Sequence, residues 1–155
     1  MCRCCTVLRG GYMTHVLLIG SGAREHCLAE VICRSRRDPI LFSYMFSNNP
    51  GIRTLSKDVV IGDGTSDAII SFATENKIDI AVIGPEAPLA AGIVDDLAKE
   101  SIPSFGPVKE LAKLETSKAF TRQIMQKYDI PGLPKFKAFR SIDGIDSFIE
   151  TLPGF

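Results

Sequence analysis

The chain has 155 residues, a length that suits about one domain and allows a substantial buried core. Hydrophobic residues make up 45% of the sequence and charged residues 23%, as in ordinary globular proteins. Because 18 basic residues balance 18 acidic ones, the charge gives no reason to expect a nucleic acid or an anionic membrane as a partner. No apolar run approaches the ~18–20 residues that a membrane-spanning helix needs.

The first twelve residues, MCRCCTVLRGGY, have neither a helical nor a strand period, and we expect 1–12 to be an extension outside the domain that follows. They lack the apolar stretch and cleavage site of a signal peptide. Met13 opens the first regular segment, so we expect it to be the biological start. The five cysteines are an odd number in a domain large enough to do without disulfides. We therefore expect reduced thiols in a cytoplasmic protein, and no metal site because no neighbouring ligands complete a familiar set.

Strand and helix patterns alternate between residues 13 and 107. Short apolar runs predict strands at 15–20, 40–46, 58–62, 79–84 and 102–106. Amphipathic segments predict helices at 23–35, 65–76 and 89–100. The inward-facing side chains of the first two helices are expected to be Leu28, Val31, Ile32, Ile69, Phe72 and Ala73. This alternation predicts an α/β fold with a Rossmann-like parallel sheet and right-handed crossovers over residues 13–107.

The pattern changes after Pro107. Residues 108–155 are predicted to form helices at 108–113, 116–128 and 141–152 and a strand at 135–139. Their inward-facing side chains are expected to be Phe120, Ile124, Tyr128, Ile145, Phe148, Ile149 and Leu152. Three helices and one strand make a poor separate domain, so we expect 108–155 to be the beginning of a second domain.

Three loops that follow strand ends carry unusual residues: GSGAREH at 20–26, SNNPG at 47–51 and GPEAPL at 84–89. The carboxyl ends of parallel strands meet at one edge of the sheet, and ligands of such sheets bind there. We therefore expect the three loops to converge and form one binding site.

The first of these loops begins like a dinucleotide-binding motif and then departs from it. Gly20 and Gly22 follow the G-x-G-x-x-G pattern, but Glu25 replaces the third glycine, and no acid ends the second strand. An NAD site is therefore disfavoured. The backbone amides at the helix N-terminus can still bind an anion, with Arg24 adding a bidentate phosphate contact. Glu25 and His26 would then bind a polar ligand or brace the loop; the alternative is a tight turn with a solvated Arg24.

The other loops also allow two interpretations. Asn48 and Asn49 either bind a ligand or close a turn, and the turn is favoured. Glu86 stands between two prolines, where its carboxylate suits a sugar hydroxyl or an amine, or simply favours a helix start. Lys118, in the first turn of a predicted helix, can reach a nucleotide phosphate or be an ordinary surface lysine.

In this order and spacing, the segments VLLIGSGAREH, SNNPG, DIAVIGPEAPLAAGIVDDL, FGP and LETSKAFTR resemble the phosphoribosylamine–glycine ligase family, from residue 13 to the last residue. The resemblance implies a Rossmann-like pre-ATP-grasp domain followed by an ATP-grasp domain. It also implies an ATP-dependent carbon–nitrogen ligase of purine biosynthesis, which joins glycine to 5-phosphoribosylamine through an acyl phosphate with ATP and Mg or Mn.

The resemblance assigns roles to residues of all three loops. The implied substrate-binding residues are Gly20, Ser21, Gly22, Arg24, Glu25, His26, Asn49, Gly51, Gly84, Pro85, Glu86 and Pro88. Lys118 matches a lysine that contacts ATP phosphates. The family's glycine-rich loop, adenine clamp and metal ligands would follow residue 155, so this sequence holds no complete catalytic set and no metal ligand. We therefore expect 108–155 to be the start of a truncated ATP-grasp domain, inactive alone, whose missing portion is a possible separate partner chain.

Three other functions are to be weighed against this one. The first is a non-catalytic sugar-phosphate- or nucleotide-binding module, which is the natural outcome of truncation. The second is part of another ATP-grasp carboxylate–amine ligase, such as a biotin carboxylase, which GSGAREH and GPEAPL fit less well. The third is an NAD-dependent reductase, which Glu25 and the missing acid disfavour.

Overall fold

A computed structural model of the chain describes residues 13–153, which form two compact units; the first ends at Glu110 and the second begins at Leu111. The extension predicted at 1–12 lies outside the described residues, and so does the end of the predicted second domain at 154–155. No helix among residues 13–153 combines the length and the apolar character needed to cross a membrane.

The first unit is built on a five-stranded parallel sheet. Its strands are β1 His15–Ile19, β2 Ile40–Met45, β3 Asp58–Ile61, β4 Ile80–Ile83 and β5 Ser104–Phe105. Their spatial order is β3-β2-β1-β4-β5, and every neighbouring pair is parallel. All five predicted strands are confirmed. They could be predicted because the strands of a parallel sheet appear in a sequence as continuous apolar runs.

Five helices accompany the sheet. They are α1 Ala23–Cys33, α2 Pro50–Leu55, α3 Ser66–Glu75, α4 Glu86–Ala91 and α5 Ile93–Lys99. The chain moves outward from β1 to β3 and then returns to β4 and β5, so right-handed crossovers place α1 and α2 on one face and α3 and α5 on the other. Contacts between α1 and α2 and between α3 and α5 agree with this arrangement.

Apolar side chains are buried on both faces of the sheet. On the face that carries α1, Val16, Leu18, Leu41 and Met45 form a cluster with Ala29. On the other face, Phe42 and Tyr44 pack edge-on against Phe72. The predicted inward residues Ile69, Phe72 and Ala73 are confirmed.

Two predictions for the helices of the first unit are wrong. Val31 is 57% exposed, because the inward positions of α1 are taken by Glu25 and Ala29, four residues apart, with Leu28 and Ile32 beside them. The helix predicted at 89–100 begins earlier and is divided into α4 and α5 by Gly92, whose φ of +108° lies outside the helical range.

Among the described residues of the second unit, the regular elements are helices, and 128–144 is irregular. Its helices are α6 Lys109–Thr116, which begins just before the division, α7 Lys118–Lys127 and α8 Ile145–Ile149. The strand predicted at 135–139 is wrong, since all five strands among residues 13–153 lie in the first unit and offer 135–139 no partner. The helix predicted at 141–152 is much shorter than expected. Tyr128 and Ile149 are exposed rather than inward, while Phe120, Ile124, Ile145, Phe148 and Leu152 are only half-buried.

Candidate functional site

The loops that follow β1, β2 and β4 meet at the carboxyl edge of the sheet. Ser47 Oγ donates a hydrogen bond of 3.2 Å to Ser21 Oγ, and this bond joins the loops after β2 and β1. Arg24 Nη2 lies 3.1 Å from Glu86 Oε1, which joins the loops after β1 and β4. The site residues predicted from the sequence in these loops are therefore neighbours in space.

Glu25 is a charged residue inside the loop cluster, with only 4% of its surface exposed. Three glycines make room for it. A Cβ would lie 2.6 Å from Glu25 Cγ if placed on Gly20, 2.8 Å from Oε2 if placed on Gly22, and 2.2 Å from Oε1 if placed on Gly84. These separations are shorter than real Cβ contacts, so the glutamate fits only because all three positions lack side chains.

The Glu25 carboxylate also caps its own helix. Glu25 Oε2 accepts a hydrogen bond of 2.6 Å from the backbone N–H of Gly22, the N-cap of α1. The other oxygen, Oε1, is buried, has no hydrogen-bond partner among the described residues, and lies 3.7 Å from Arg24 Nε. Of the two roles open to Glu25, this geometry favours bracing the loop. The Gly22 N–H already donates its hydrogen bond to the Glu25 carboxylate.

Asn49 joins the second loop to the first. Its Oδ1 accepts hydrogen bonds from the backbone N–H groups of Gly51 (3.0 Å) and Ile52 (3.3 Å), so it is the N-cap of α2. Its Nδ2 donates to the carbonyl oxygens of Ser21 (3.0 Å) and Gly22 (3.4 Å). The favoured turn interpretation of SNNPG therefore missed a helix, α2, which begins at Pro50 directly after this cap.

His26 lies against the second loop. A Cβ on Gly51 would stand 2.2 Å from His26 Nε2, so the absence of a side chain at Gly51 accommodates the imidazole. The same Nε2 is 3.7 Å from Glu30 Oε1, one turn further along α1. His26 thus packs against Gly51 of the second loop while its side chain stays partly exposed.

Arg24 and Glu86 form the charged part of the site that solvent reaches, with side chains 64% and 44% exposed. Glu86 is the first residue of α4, after the N-cap Pro85, and Pro88 is buried in the same helix. The pKa of Glu86 is lowered, first by a hydrogen bond from its own backbone N–H and then by the hydrogen bond and positive charge of Arg24. The pair therefore offers a ligand one cation and one carboxylate, side by side.

Lys118, the predicted ATP-binding residue, lies in the second unit as the first residue of α7. Ser117, the N-cap, accepts a hydrogen bond of 3.3 Å from the Phe120 N–H. Lys118 borders a cavity of about 200 Å³ together with Arg122 and Lys137. Arg122 and Lys137 were not predicted from the sequence, although the four-residue spacing of Lys118 and Arg122 places these two on one helix face.

Metal coordination has no candidate in the part of the chain that the structure describes. Among residues 13–153, no three His, Cys, Asp or Glu side chains are grouped so as to hold a metal ion. Among the described residues, Cys27 and Cys33 of α1 form no disulfide, and Cys33 Sγ donates a hydrogen bond of 3.7 Å to the carbonyl oxygen of Leu55.

Comparison with known sequences gives a consistent result. The family described as "Phosphoribosylglycinamide synthetase, N domain" matches residues 14–115. The chain is similar to phosphoribosylamine–glycine ligase from Methanopyrus kandleri, with 46% identity over 142 residues, which are 90% of this chain and 32% of that protein. It is 42% identical to the protein of the same name from Pyrococcus abyssi over 136 residues, 87% of this chain and 31% of the relative. The chain therefore spans about a third of the length of these curated relatives.

Comparison with solved structures confirms the predicted fold class. N5-carboxyaminoimidazole synthetase from Staphylococcus aureus, complexed with ADP, superposes with a TM-score of 0.69 at 14% identity, over 90% of this chain and 36% of that one. Phosphoribosylglycinamide synthetase from Anaerococcus prevotii superposes with a TM-score of 0.63 at 14% identity, over 91% of this chain and 35% of that one. At such low identity these likenesses concern the fold alone.

Proposed function

Because the chain belongs to the phosphoribosylglycinamide synthetase N-domain family, we propose that it supplies the N-terminal part of a phosphoribosylamine–glycine ligase. The complete reaction would join glycine to 5-phosphoribosylamine with ATP in de novo purine biosynthesis, in the cytoplasm. In this proposal the first unit holds phosphoribosylamine, and residues 108–155 begin the ATP-grasp domain.

The observation that carries the proposal is the pairing of Arg24 with Glu86 at the meeting point of three loops. A phosphorylated ribosylamine presents a phosphate dianion together with hydroxyl and amine donors. Arg24 can bind the phosphate in a bidentate manner, and Glu86 can accept hydrogen bonds from the ribose hydroxyls or the amine. Ligand binding would exchange the contact between the two side chains for two contacts with the substrate.

The other predicted substrate-binding residues would act mainly by shaping the pocket. Gly20, Gly22 and Gly84 accommodate Glu25, and Gly51 accommodates His26. Asn49 fixes Ser21 through its backbone carbonyl. In this proposal these contacts hold the loops in a geometry that a small, polar ligand can enter without reorganising them.

For the nucleotide, the three cations around the second unit's cavity suit a polyphosphate, so Lys118, Arg122 and Lys137 are the residues that would hold ATP phosphates. ATP would supply the phosphoryl group that activates the glycine carboxylate. The family's chemistry also implies Mg or Mn, but residues 13–153 offer no donor set for either, and no step is assigned to a metal. We expect the chain alone to release no ADP in the presence of glycine and phosphoribosylamine; turnover would refute this part of the proposal.

A non-catalytic sugar-phosphate-binding module is the second candidate, since the pairing of Arg24 with Glu86 suits a phosphorylated sugar whether or not a reaction follows. It would use the same pocket of the first unit. The two candidates differ in whether completing the chain creates an activity. Fusing this chain to the remaining two-thirds of the Methanopyrus kandleri ligase should give ADP release if it is a ligase part, and none if it is only a binding module.

The binding pocket can be tested with ribose 5-phosphate in a thermal shift experiment. A ligand at about a hundredfold excess over its Kd stabilises the folded chain by about 2.7 kcal/mol, so ribose 5-phosphate should raise Tm while NADH should not. Arg24→Met and Glu86→Gln should each weaken binding about tenfold or more, as expected for a lost hydrogen bond to a charged group. Arg34→Met, on the far end of α1, is the matched control. Equal binding by all variants would place the ligand elsewhere.

A further inference from the structure

One oxygen of the Glu25 carboxylate is buried without a hydrogen-bond partner. Oε2 accepts a hydrogen bond from the Gly22 N–H, but Oε1 accepts none from the part of the chain that the structure describes. Burying a carboxylate oxygen without a donor costs free energy, so such an atom calls for a physical explanation. Among residues 13–153, no other side-chain oxygen or nitrogen is buried in this state.

Two neighbours of Oε1 differ in how freely they can move. Gly84 lies so close that a Cβ there would collide with Oε1, and its N–H donates to the Ile19 carbonyl oxygen (3.0 Å) within the sheet. Arg24 has its Nε 3.7 Å from Oε1, which is beyond hydrogen-bond range. The Arg24 side chain is mostly exposed, so it can turn away while the Gly84 backbone stays in place. A ligand would therefore reach Oε1 from the side that Arg24 covers.

Arg24 is shared by two carboxylates. Its Nη2 lies 3.1 Å from Glu86 Oε1, and its Nε lies 3.7 Å from Glu25 Oε1. If the guanidinium binds a substrate phosphate, as in the proposed function, it leaves both carboxylates. Glu86 is partly exposed and would be solvated by water, whereas Oε1 of Glu25 is buried and would not. A substrate that engages Arg24 must therefore bring a hydrogen-bond donor to Glu25.

We propose that Glu25 Oε1 accepts hydrogen bonds from the amine of the substrate, and that Glu25 thereby distinguishes an amine from a hydroxyl on the anomeric carbon. The inference rests on the proposed function for the ligand class, a phosphorylated ribose. An amine offers at least two N–H donors, and a positive charge when protonated, whereas a hydroxyl offers one donor. Glu86 then accepts from the ribose hydroxyls, and Glu25 Oε2 continues to brace the loop.

A matched pair of stable ligands tests this preference. The probes are two cyclopentane analogues of the ribose phosphate, one with an amine and one with a hydroxyl at the position of the anomeric group. Isothermal titration calorimetry at pH 7 measures the affinity of the chain for each. We expect the amine analogue to bind at least about tenfold more tightly, as a hydrogen bond between charged groups allows. Equal affinities for the two analogues would overturn the inference.

Glu25→Gln separates amine recognition from the bracing of the loop. The glutamine carbonyl oxygen can still accept the hydrogen bond from the Gly22 N–H, while its NH2 group presents donors to the ligand amine. We expect this variant to lose the preference for the amine and to keep its affinity for the hydroxyl analogue. Glu86→Gln should weaken both ligands and keep the preference, and Glu75→Gln, at the exposed end of α3, should change neither affinity. A preference that survives in Glu25→Gln, or that Glu86→Gln removes instead, would contradict the assignment.

A second measurement needs no variant, so it decides the case even if Glu25→Gln does not fold. Carbon-13 NMR of the wild-type Glu25 side-chain carboxyl should show a larger displacement of its resonance with the amine analogue than with the hydroxyl analogue. Equal displacements would overturn the inference. If neither analogue binds the wild-type chain, the pocket of the proposed function is wrong and the inference falls with it. Binding of both analogues without a preference refutes the inference alone and leaves the proposed function standing.

Discussion

Gly84 and Glu25, far apart in sequence, share one space: a Cβ on Gly84 would lie 2.2 Å from Glu25 Oε1. This relationship fixes the position of the loop after β4 relative to the N-terminus of α1. It also explains why a glutamate can stand where dinucleotide-binding loops have their third glycine. The small residue needed for close packing is supplied from the neighbouring strand's loop instead of from α1 itself.

The first prediction follows from this packing. Gly84→Ala should lower the free energy of unfolding by about 1–3 kcal/mol, the usual cost of overpacking a filled interior site. Denaturant unfolding measures this directly. In a Glu25→Ala background the same substitution should cost much less, because the atoms that it meets are gone. Additive effects in this double-mutant cycle would show that Gly84 and Glu25 do not share the space described here.

Gly51→Ala is a second prediction and a contrast to the first. Its Cβ would meet the His26 ring, 2.2 Å from Nε2, but the imidazole is partly exposed and can turn away. Gly51 also lies in α2, where alanine gains up to about 1 kcal/mol of helix propensity. We expect the free energy of unfolding to stay within about 1 kcal/mol of the wild type, with the His26 imidazole resonances shifted in NMR spectra. A loss as large as that of Gly84→Ala would mean that His26 is locked in place.

The five strands could be predicted because each is an apolar run bounded by polar residues, and this pattern is local. The short helix α2 could not, since Asn49 and Pro50 suit a turn as well as a helix start, and six residues show too little periodicity. At 135–139 the reverse happened: the local pattern predicted a strand that the structure does not contain. Alternation describes only the side chains, whereas a strand also needs a neighbour for its backbone groups, and 135–139 has none.

The convergence of the three loops could be predicted from the sequence, but the contacts among their residues could not. The loops were expected to converge because parallel strands end at one edge. Glu25 can be buried between glycines only because Gly84 also lacks a side chain. Gly84 is far from α1 in the sequence, so no local pattern connects the two. Similarly, the contacts of Asn49 with Ser21 join two loops across the sheet edge. Such pairings arise from tertiary packing, so the sequence alone leaves bracing and ligand binding as equal alternatives.

Asn49→Ala gives the third prediction. The substitution removes the N-cap of α2 and the two hydrogen bonds donated to the first loop. Loss of a cap typically costs about 0.5–2 kcal/mol, and the lost bridge to Ser21 should place this variant at the upper end of that range or above it. Asn48→Ala is the matched control. Asn48 Oδ1 accepts an exposed hydrogen bond from Arg53 Nε, at the protein surface, and we expect a change below about 0.5 kcal/mol. Equal losses for the two variants in denaturant unfolding would contradict the bridging role.

The last prediction concerns the titration of Glu86. Its pKa lies below the ordinary value of 4.5, first because its own backbone N–H hydrogen-bonds the carboxylate and second because Arg24 does. Since the folded-state pKa is depressed, the stabilisation linked to this group is present above pH 4.5 and is lost as the pH falls through the lowered value.

Arg24→Met should raise the pKa of Glu86, yet leave it below 4.5 because the backbone hydrogen bond, the larger cause, remains. Carbon-13 NMR of the Glu86 side-chain carboxyl measures both midpoints. An unchanged midpoint would show that Arg24 does not pair with Glu86 in solution. A midpoint restored fully to 4.5 would mean that Arg24, not the backbone, holds the carboxylate ionised.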